Sequence, residues 1–134
     1  MAGAAYMAGM LSHVSVGTND LENARVFYTA VMKVLGLNLL NDDGESLDYG
    51  SSRLMFSVES PTNGQKASPG NGVHIAFEAH NRAMVDAVYK AALAHGGKDA
   101  GAPGLRPQYD AHYYATFVED PDGNKLEVVT LTAA

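Results

Sequence analysis

The chain opens its readable pattern with a period of two. Over residues 11–16, Val14 and Val16 share one side and His13 and Ser15 the other, the alternation of a half-buried strand. The period then lengthens. Ala24, Phe27, Tyr28, Val31 and Leu35 recur at spacings of three and four, which predicts a helix from about Leu21. Asn19 with Glu22 three residues on has the form of a capping box, and Gly36 is a natural left-handed stop. Strands are predicted over residues 37–41, 46–49 and 53–58, the first two joined by the turn Asp42-Asp43-Gly44. Pro61, Asn63, Gly64, Pro69 and Gly70 interrupt the pattern and predict a linker over residues 61–71. A strand over residues 73–78 follows, then a helix over 82–95 with Met84, Val85, Val88 and Ala92 inward, closed by Gly96-Gly97. A short strand near residues 98–100 leads into a Gly/Pro-rich loop over 101–110. Strands over 113–118 and 125–131 close the chain, joined by the turn Asp120-Pro121-Asp122-Gly123. The order is strand-helix-strand-strand-strand, twice.

The two halves also match residue by residue. At an offset of 61, His13-Val14-Ser15-Val16 lies on His74-Ile75-Ala76-Phe77, and without a gap Tyr28 meets Tyr89, Ala30 meets Ala91 and Gly36 meets Gly97. Such a repeat predicts an α+β fold of two pseudo-symmetric modules with paired ligand positions. Residues 10–134 form one domain on this reading: module one over 10–60, the linker over 61–71 and module two over 72–134. Residues 1–9 are small, weakly apolar and free of positive charge, and are expected to be a disordered tail rather than a signal peptide.

Composition narrows the function classes. A net charge of −6 without a basic cluster excludes a nucleic-acid footprint. No apolar run reaches membrane-spanning length. Absence of cysteine removes thiolate metal sites, cysteine nucleophiles and disulfides, and fits the cytoplasm.

The strand alternation sorts the chemistry. Leu54, Phe56 and Val58 share the apolar face of their strand with Met55 and Ser57 opposite; Leu126 and Val128 share another with Glu127 opposite. His13, His74, Met55, Ser57 and Glu127 therefore fall on the second, concave face. Matching Arg53-Leu54-Met55-Phe56 with Lys125-Leu126-Glu127-Val128 pairs Met55 with Glu127. Of Tyr113 and Tyr114, one faces the pocket and the other the core. Arg106 and Tyr109 can orient an anionic substrate. His112, beside them, is a general acid or base or simply a loop residue. His80 and His95 lie at helix ends and require no function, Arg53 reads as surface, and the Asp120–Gly123 turn lacks the glycine spacing of a calcium loop.

The segments His13-Val14-Ser15-Val16, Asp20-Leu21, Phe27-Tyr28, His74-Ile75-Ala76-Phe77 and Phe117-Val118-Glu119-Asp120-Pro121-Asp122-Gly123-Asn124-Lys125-Leu126-Glu127 together resemble the vicinal oxygen chelate superfamily. Its members include glyoxalases, fosfomycin-resistance transferases, extradiol dioxygenases and bleomycin-resistance proteins. The resemblance implies paired modules whose mixed sheets curl around one divalent metal, and a homodimer with shared sites. It places His13, His74 and Glu127 at ligand positions, with Glu127 also the candidate for proton transfer. Two imidazoles and a carboxylate suit Fe, Mn, Ni or Zn. Glyoxalases carry a second carboxylate where the alignment puts Met55, so the set is closer to that of the transferases and dioxygenases. The expected function is glyoxalase-like, metal-dependent chemistry on a small oxygen-rich molecule: lyase or isomerase chemistry, dioxygenation or thiol transfer. The alternative is metal-free drug binding of the bleomycin-resistance type.

Overall fold

The computed structural model describes residues 9–134; apart from Gly9, the tail expected over residues 1–9 lies outside the described residues. The elements run β1 (Val14–Gly17), α1 (Leu21–Val34), β2 (Asn38–Asp42), β3 (Ser46–Gly50), β4 (Leu54–Glu59), β5 (His74–Glu78), α2 (Arg82–Ala94), β6 (Lys98–Leu105), β7 (Tyr114–Glu119) and β8 (Lys125–Thr130). They build two four-stranded sheets, ordered β1-β4-β3-β2 and β5-β8-β7-β6. In each the first strand runs parallel to the last and the remaining pairs are antiparallel. The helix between the first and second strands of each module is the crossover that a parallel pair requires. The result is an α+β arrangement of two similar modules whose sheets do not close.

One core serves both modules. Ala24, Phe27, Tyr28, Val31 and Met32 of α1 and Val85, Val88 and Ala92 of α2 are buried, and so are Leu47, Tyr49, Phe56, Val58, Val118, Leu126 and Val128 from the sheets. The rings run across the boundary. Phe27 meets Tyr28 edge-on at 4.8 Å, Tyr28 meets Phe56 at 5.1 Å, and Phe56 meets Phe77 of module two at 5.3 Å. The apolar face read from the strand alternation is thus the inner face, and its opposite faces outward from the helices.

The turn after β7 locks the modules together. Asp120 Oδ1 accepts from the backbone N–H groups of Asp122 and Asn124, both at 2.9 Å, and Gly123 supplies a φ of 91°. Buried Asp120 also receives the Tyr28 hydroxyl at 2.5 Å. Asp122 receives the Thr18 hydroxyl at 2.5 Å and the Asn19 N–H at 2.9 Å. The acidic turn is therefore a hairpin and a clamp, and both of its carboxylates, Asp120 and Asp122, receive hydrogen bonds from module one.

Two details differ from the sequence reading, at the α1 cap and in β6, and one sharpens it, at the Gly96-Gly97 stop. The cap of α1 is Asp20, which accepts from the Asn23 N–H; Asn19 instead exchanges two hydrogen bonds with the Ala67 backbone, tying the linker down. The left-handed stops are Gly36 and Gly96, at φ 84° and 97°, so Gly97 is kept for another reason: a Cβ there would lie 2.6 Å from Phe27 Cε1. Residues 101–105, expected in a loop, extend β6 as an edge strand. Two register shifts absorb Gly101 and Gly104, and Pro103 needs no ladder partner at an edge.

Candidate functional site

The concave face of the second sheet is built by alternation. Tyr113 lies just before β7 and Phe117 within it, while Lys125 and Glu127 share a side of β8 and His74 opens β5. Glu127 is the center of this group. It is only 3% exposed, which is costly for a carboxylate unless its oxygens are paired. His74 Nε2 lies 3.0 Å from Oε1, and the Tyr113 hydroxyl donates to Oε2 at 2.5 Å. Burial first, then the hydrogen bond and charge of Glu127, push the Tyr113 phenol up to about 12. The His74 ring stands edge-on to Phe117 at 5.9 Å, which limits its rotation. Tyr109, 64% exposed, stacks at 5.1 Å against Tyr113.

Arg106 reaches the same face. Its N–H pairs with the Tyr113 carbonyl at 2.7 Å to close the hairpin, and its guanidinium lies 5.7 Å from the Phe117 ring. Tyr114 points the other way, into the partly buried layer against α2, and donates to Asp86 at 2.7 Å. Of the two tyrosines Tyr114 is thus the one packed on the core, and Tyr113 lies on the opposite face with Glu127. His112 is exposed; its backbone N–H is held by Asp110, and its ring makes no hydrogen bond among the described residues.

The first sheet carries a different set. His13 is exposed and within reach of Ser12, Met55 is 39% exposed, and buried Ser57 donates to Asp48 at 2.9 Å. The parallel registers revise the matching of the modules. Ser15 pairs with Ser57 on β4, and its counterpart Ala76 pairs with Glu127 on β8. Ser57, not Met55, is thus the structural equivalent of Glu127, and Met55 corresponds to Lys125. Matching Met55 with Glu127 is a slip of two residues, which preserves the face and so leaves no trace in the hydrophobic pattern.

A groove of about 490 Å³ runs between the edge strands β1 and β5 and takes in His13, Arg53, Met55, His74 and Phe77. Arg53, read as surface, lines it and donates to the Ser12 carbonyl at 2.9 Å. The groove does not include Glu127 or Tyr113. Among the described residues, no three His, Asp or Glu side chains converge well enough to hold a metal. One chain therefore brings His74 and Glu127 into hydrogen-bond contact, while His13, just before β1, shares the groove with His74 without completing a set of three.

Three contributors escaped the sequence reading. Asp48 and Phe117 sit on the polar side of alternating strands and were legible from the alternation alone. Lys125, two residues before Glu127, was also on the right face. Its ammonium lies 5.1 Å from the Phe117 ring.

Comparison with known proteins agrees with this architecture. The family model described as the Glyoxalase/Bleomycin resistance protein/Dioxygenase superfamily matches residues 10–128. A glyoxalase/bleomycin resistance protein from Albidiferax ferrireducens T118 is 36% identical, with 91% of this chain and 99% of that one covered and a TM-score of 0.85. A glyoxalase-related enzyme from Fulvimarina pelagi shares the fold at 20% identity (92% and 88% covered, TM-score 0.73). So does a lactoylglutathione lyase from Agrobacterium tumefaciens at 22% identity (92% and 94% covered, TM-score 0.64). No curated protein matches the chain. No helix among the described residues is long and apolar enough to cross a membrane. With the family model spanning nearly all of both modules, the chain belongs to the glyoxalase/bleomycin resistance protein/dioxygenase superfamily.

Proposed function

We propose that the protein is a divalent-metal-dependent enzyme of the cytoplasm. It acts as a homodimer on a small molecule that presents two adjacent oxygens to the metal. The observation that carries this reading is the buried Glu127 carboxylate, with imidazole at one oxygen and phenol at the other. A carboxylate needed only for stability would be replaced more cheaply by an apolar side chain. Its partner His74 is itself a good ligand, and the pair suits iron, manganese, nickel or zinc.

Two ligands are one short of the three that catalytic sites of this type use. His13, on the equivalent strand of the other module, is the remaining donor, and a second copy of the chain supplies it across a two-fold interface. The metal, when bound, stabilises negative charge developing on the substrate oxygens. The chain's own residues do the rest. Tyr113 fixes the Glu127 carboxylate, Phe117 restrains the His74 ring, and the groove beside His13 and Met55 receives the substrate body.

Ser57 at the position equivalent to Glu127 bears on the reaction class. A set with one carboxylate lacks the second one that glyoxalase chemistry draws on, so dioxygenation or thiol transfer is favored over isomerisation. Metal content of the stripped protein, offered Mn, Fe, Ni and Zn in turn, tests the reading. About one metal per chain, lost in both His74→Ala and Glu127→Ala, is expected. No specific metal, or binding indifferent to both substitutions, overturns it and leaves metal-free binding of the bleomycin-resistance type.

A further inference from the structure

Beside the His74–Glu127 pair lies a second group that metal binding does not use. Phe117 on β7 is flanked by Gly101 of β6 and Glu127 of β8 in the strand registers. Lys125, from β8, lies 5.1 Å from the ring center, and the guanidinium of Arg106, which follows β6, lies 5.7 Å from it.

Arg106 is seated rather than adrift. Its Nη1 donates to the Gly104 carbonyl at 2.8 Å and its Nη2 to the Ala102 carbonyl at 2.9 Å. A Cβ on Gly104 would lie 3.2 Å from Nη1, and one on Gly101 3.4 Å from Nη2. The register shifts of β6 occur at these glycines. Bulges and missing side chains together make a cradle, and it aims the guanidinium across Phe117 instead of into solvent.

Neither cation is neutralised. Among the described residues the ion pairs are those of Arg25 with Glu22 and Asp42, and His74 with Glu127. Glu119, the cross-strand neighbor of Lys125, is not within ion-pair distance of it. In a chain of net charge −6, two unpaired cations on one ring beside the buried carboxylate are a local reversal of sign. A purely structural role explains the hairpin-closing backbone of Arg106 but not the placement of Lys125 on the same ring.

We propose that Arg106 and Lys125, both set over the Phe117 ring, form an oxyanion subsite that takes a carboxylate or phosphate-type group of the substrate. Resting on the functional reading above, this makes the substrate an anion: an oxyanion at one end and the metal-chelating oxygens at the other. Arg106 supplies a fork preset by its carbonyls, and Lys125 a mobile point charge.

The test uses metal-stripped full-length protein, so failure of the metal site cannot mask or mimic the result. Inorganic phosphate and acetate are titrated separately, and binding is followed by amide shifts in NMR spectra. Saturable binding of at least one anion is expected, with shifts centered on residues 101–106, 117 and 125. Arg106→Gln and Lys125→Gln should each weaken it about tenfold, the worth of one charge-assisted contact. Arg106→Lys should lose nearly as much, since an ammonium cannot span both carbonyls. Whichever anion binds more tightly identifies the carboxylate or phosphate class. No saturation by either anion, or binding unchanged in both glutamine variants with their thermal melts intact, overturns the proposal. Metal content should be unchanged in Arg106→Gln and Lys125→Gln, which separates this subsite from the His74–Glu127 pair.

Discussion

Tyr28→Phe removes one oxygen from a fully buried side chain and leaves its ring in place. The stacking against Phe27 and Phe56 survives, and almost no cavity forms. What is lost is the 2.5 Å hydrogen bond to Asp120 Oδ2, which then keeps only Asn124 Nδ2 at 2.9 Å. A hydrogen bond to a charged group contributes about 1.5–3 kcal/mol, a neutral one about half that. At neutral pH the substitution should therefore cost roughly 2 kcal/mol and lower the melting temperature by roughly 5–10 °C.

The pH dependence is the sharper discriminator. Burial already raises the Asp120 carboxyl above its ordinary 3.8, against the opposing pull of Tyr28 and Asn124. A raised folded-state value means the folded protein holds a proton the unfolded chain has released, so this group's contribution falls as pH rises from 3.8 through the folded value. Losing the Tyr28 donor raises that value further. The deficit of Tyr28→Phe should thus be smallest in acid, where the carboxyl is protonated, and grow toward neutrality. Urea unfolding followed by circular dichroism at several pH values measures it. A deficit below about 0.5 kcal/mol, or one that does not grow with pH, would refute the clamp as a charged hydrogen bond.

Further outcomes follow from individual contacts. Gly97→Ala should destabilise by about 1–3 kcal/mol in the same assay, because its Cβ would meet Phe27 at 2.6 Å and the Ala92 carbonyl at 2.8 Å. The Tyr113 phenol should ionise near 12, read as the ultraviolet titration difference between the parent and Tyr113→Phe. Because that value lies above the ordinary 10.0, the stabilisation is complete below 10.0 and is lost as pH rises toward about 12; Glu127→Gln should bring the ionisation down. If the site is shared between two copies, mixing His13→Ala with Glu127→Ala chains after unfolding and refolding should restore roughly one quarter of the metal sites, and no recovery would place all ligands in one chain.

How far the sequence carried the reading depended on which property each residue expressed. Alternation of period two placed His13, His74, Met55, Ser57 and Glu127 on the correct faces, because a strand's face is fixed by parity alone. Parity is blind to a slip of two, and so Met55 was matched with Glu127 until the parallel registers put Ser57 there. The helix stop was read as Gly96-Gly97, and the left-handed backbone is at Gly96; only the gapless repeat, which pairs Gly36 with Gly97, is off by one there.

Residues 101–105 were misread for a different reason. Glycine and proline ordinarily break a pattern, and nothing local distinguishes a loop from an edge strand whose bulges consume the same residues. That misreading concealed how the segment seats Arg106. As a loop, it offers Arg106 only as a mobile surface cation; as a bulged strand, it offers carbonyls and missing Cβ atoms at fixed positions around the guanidinium. The His74–Glu127 pair shows the same limit at a larger scale. Sequence symmetry makes His13 and His74 equivalent, yet the folded chain gives only His74 a carboxylate partner. The asymmetry between Ser57 and Glu127 therefore decides which module holds the hydrogen-bonded pair, and only on the proposed reading does the other module lend an imidazole.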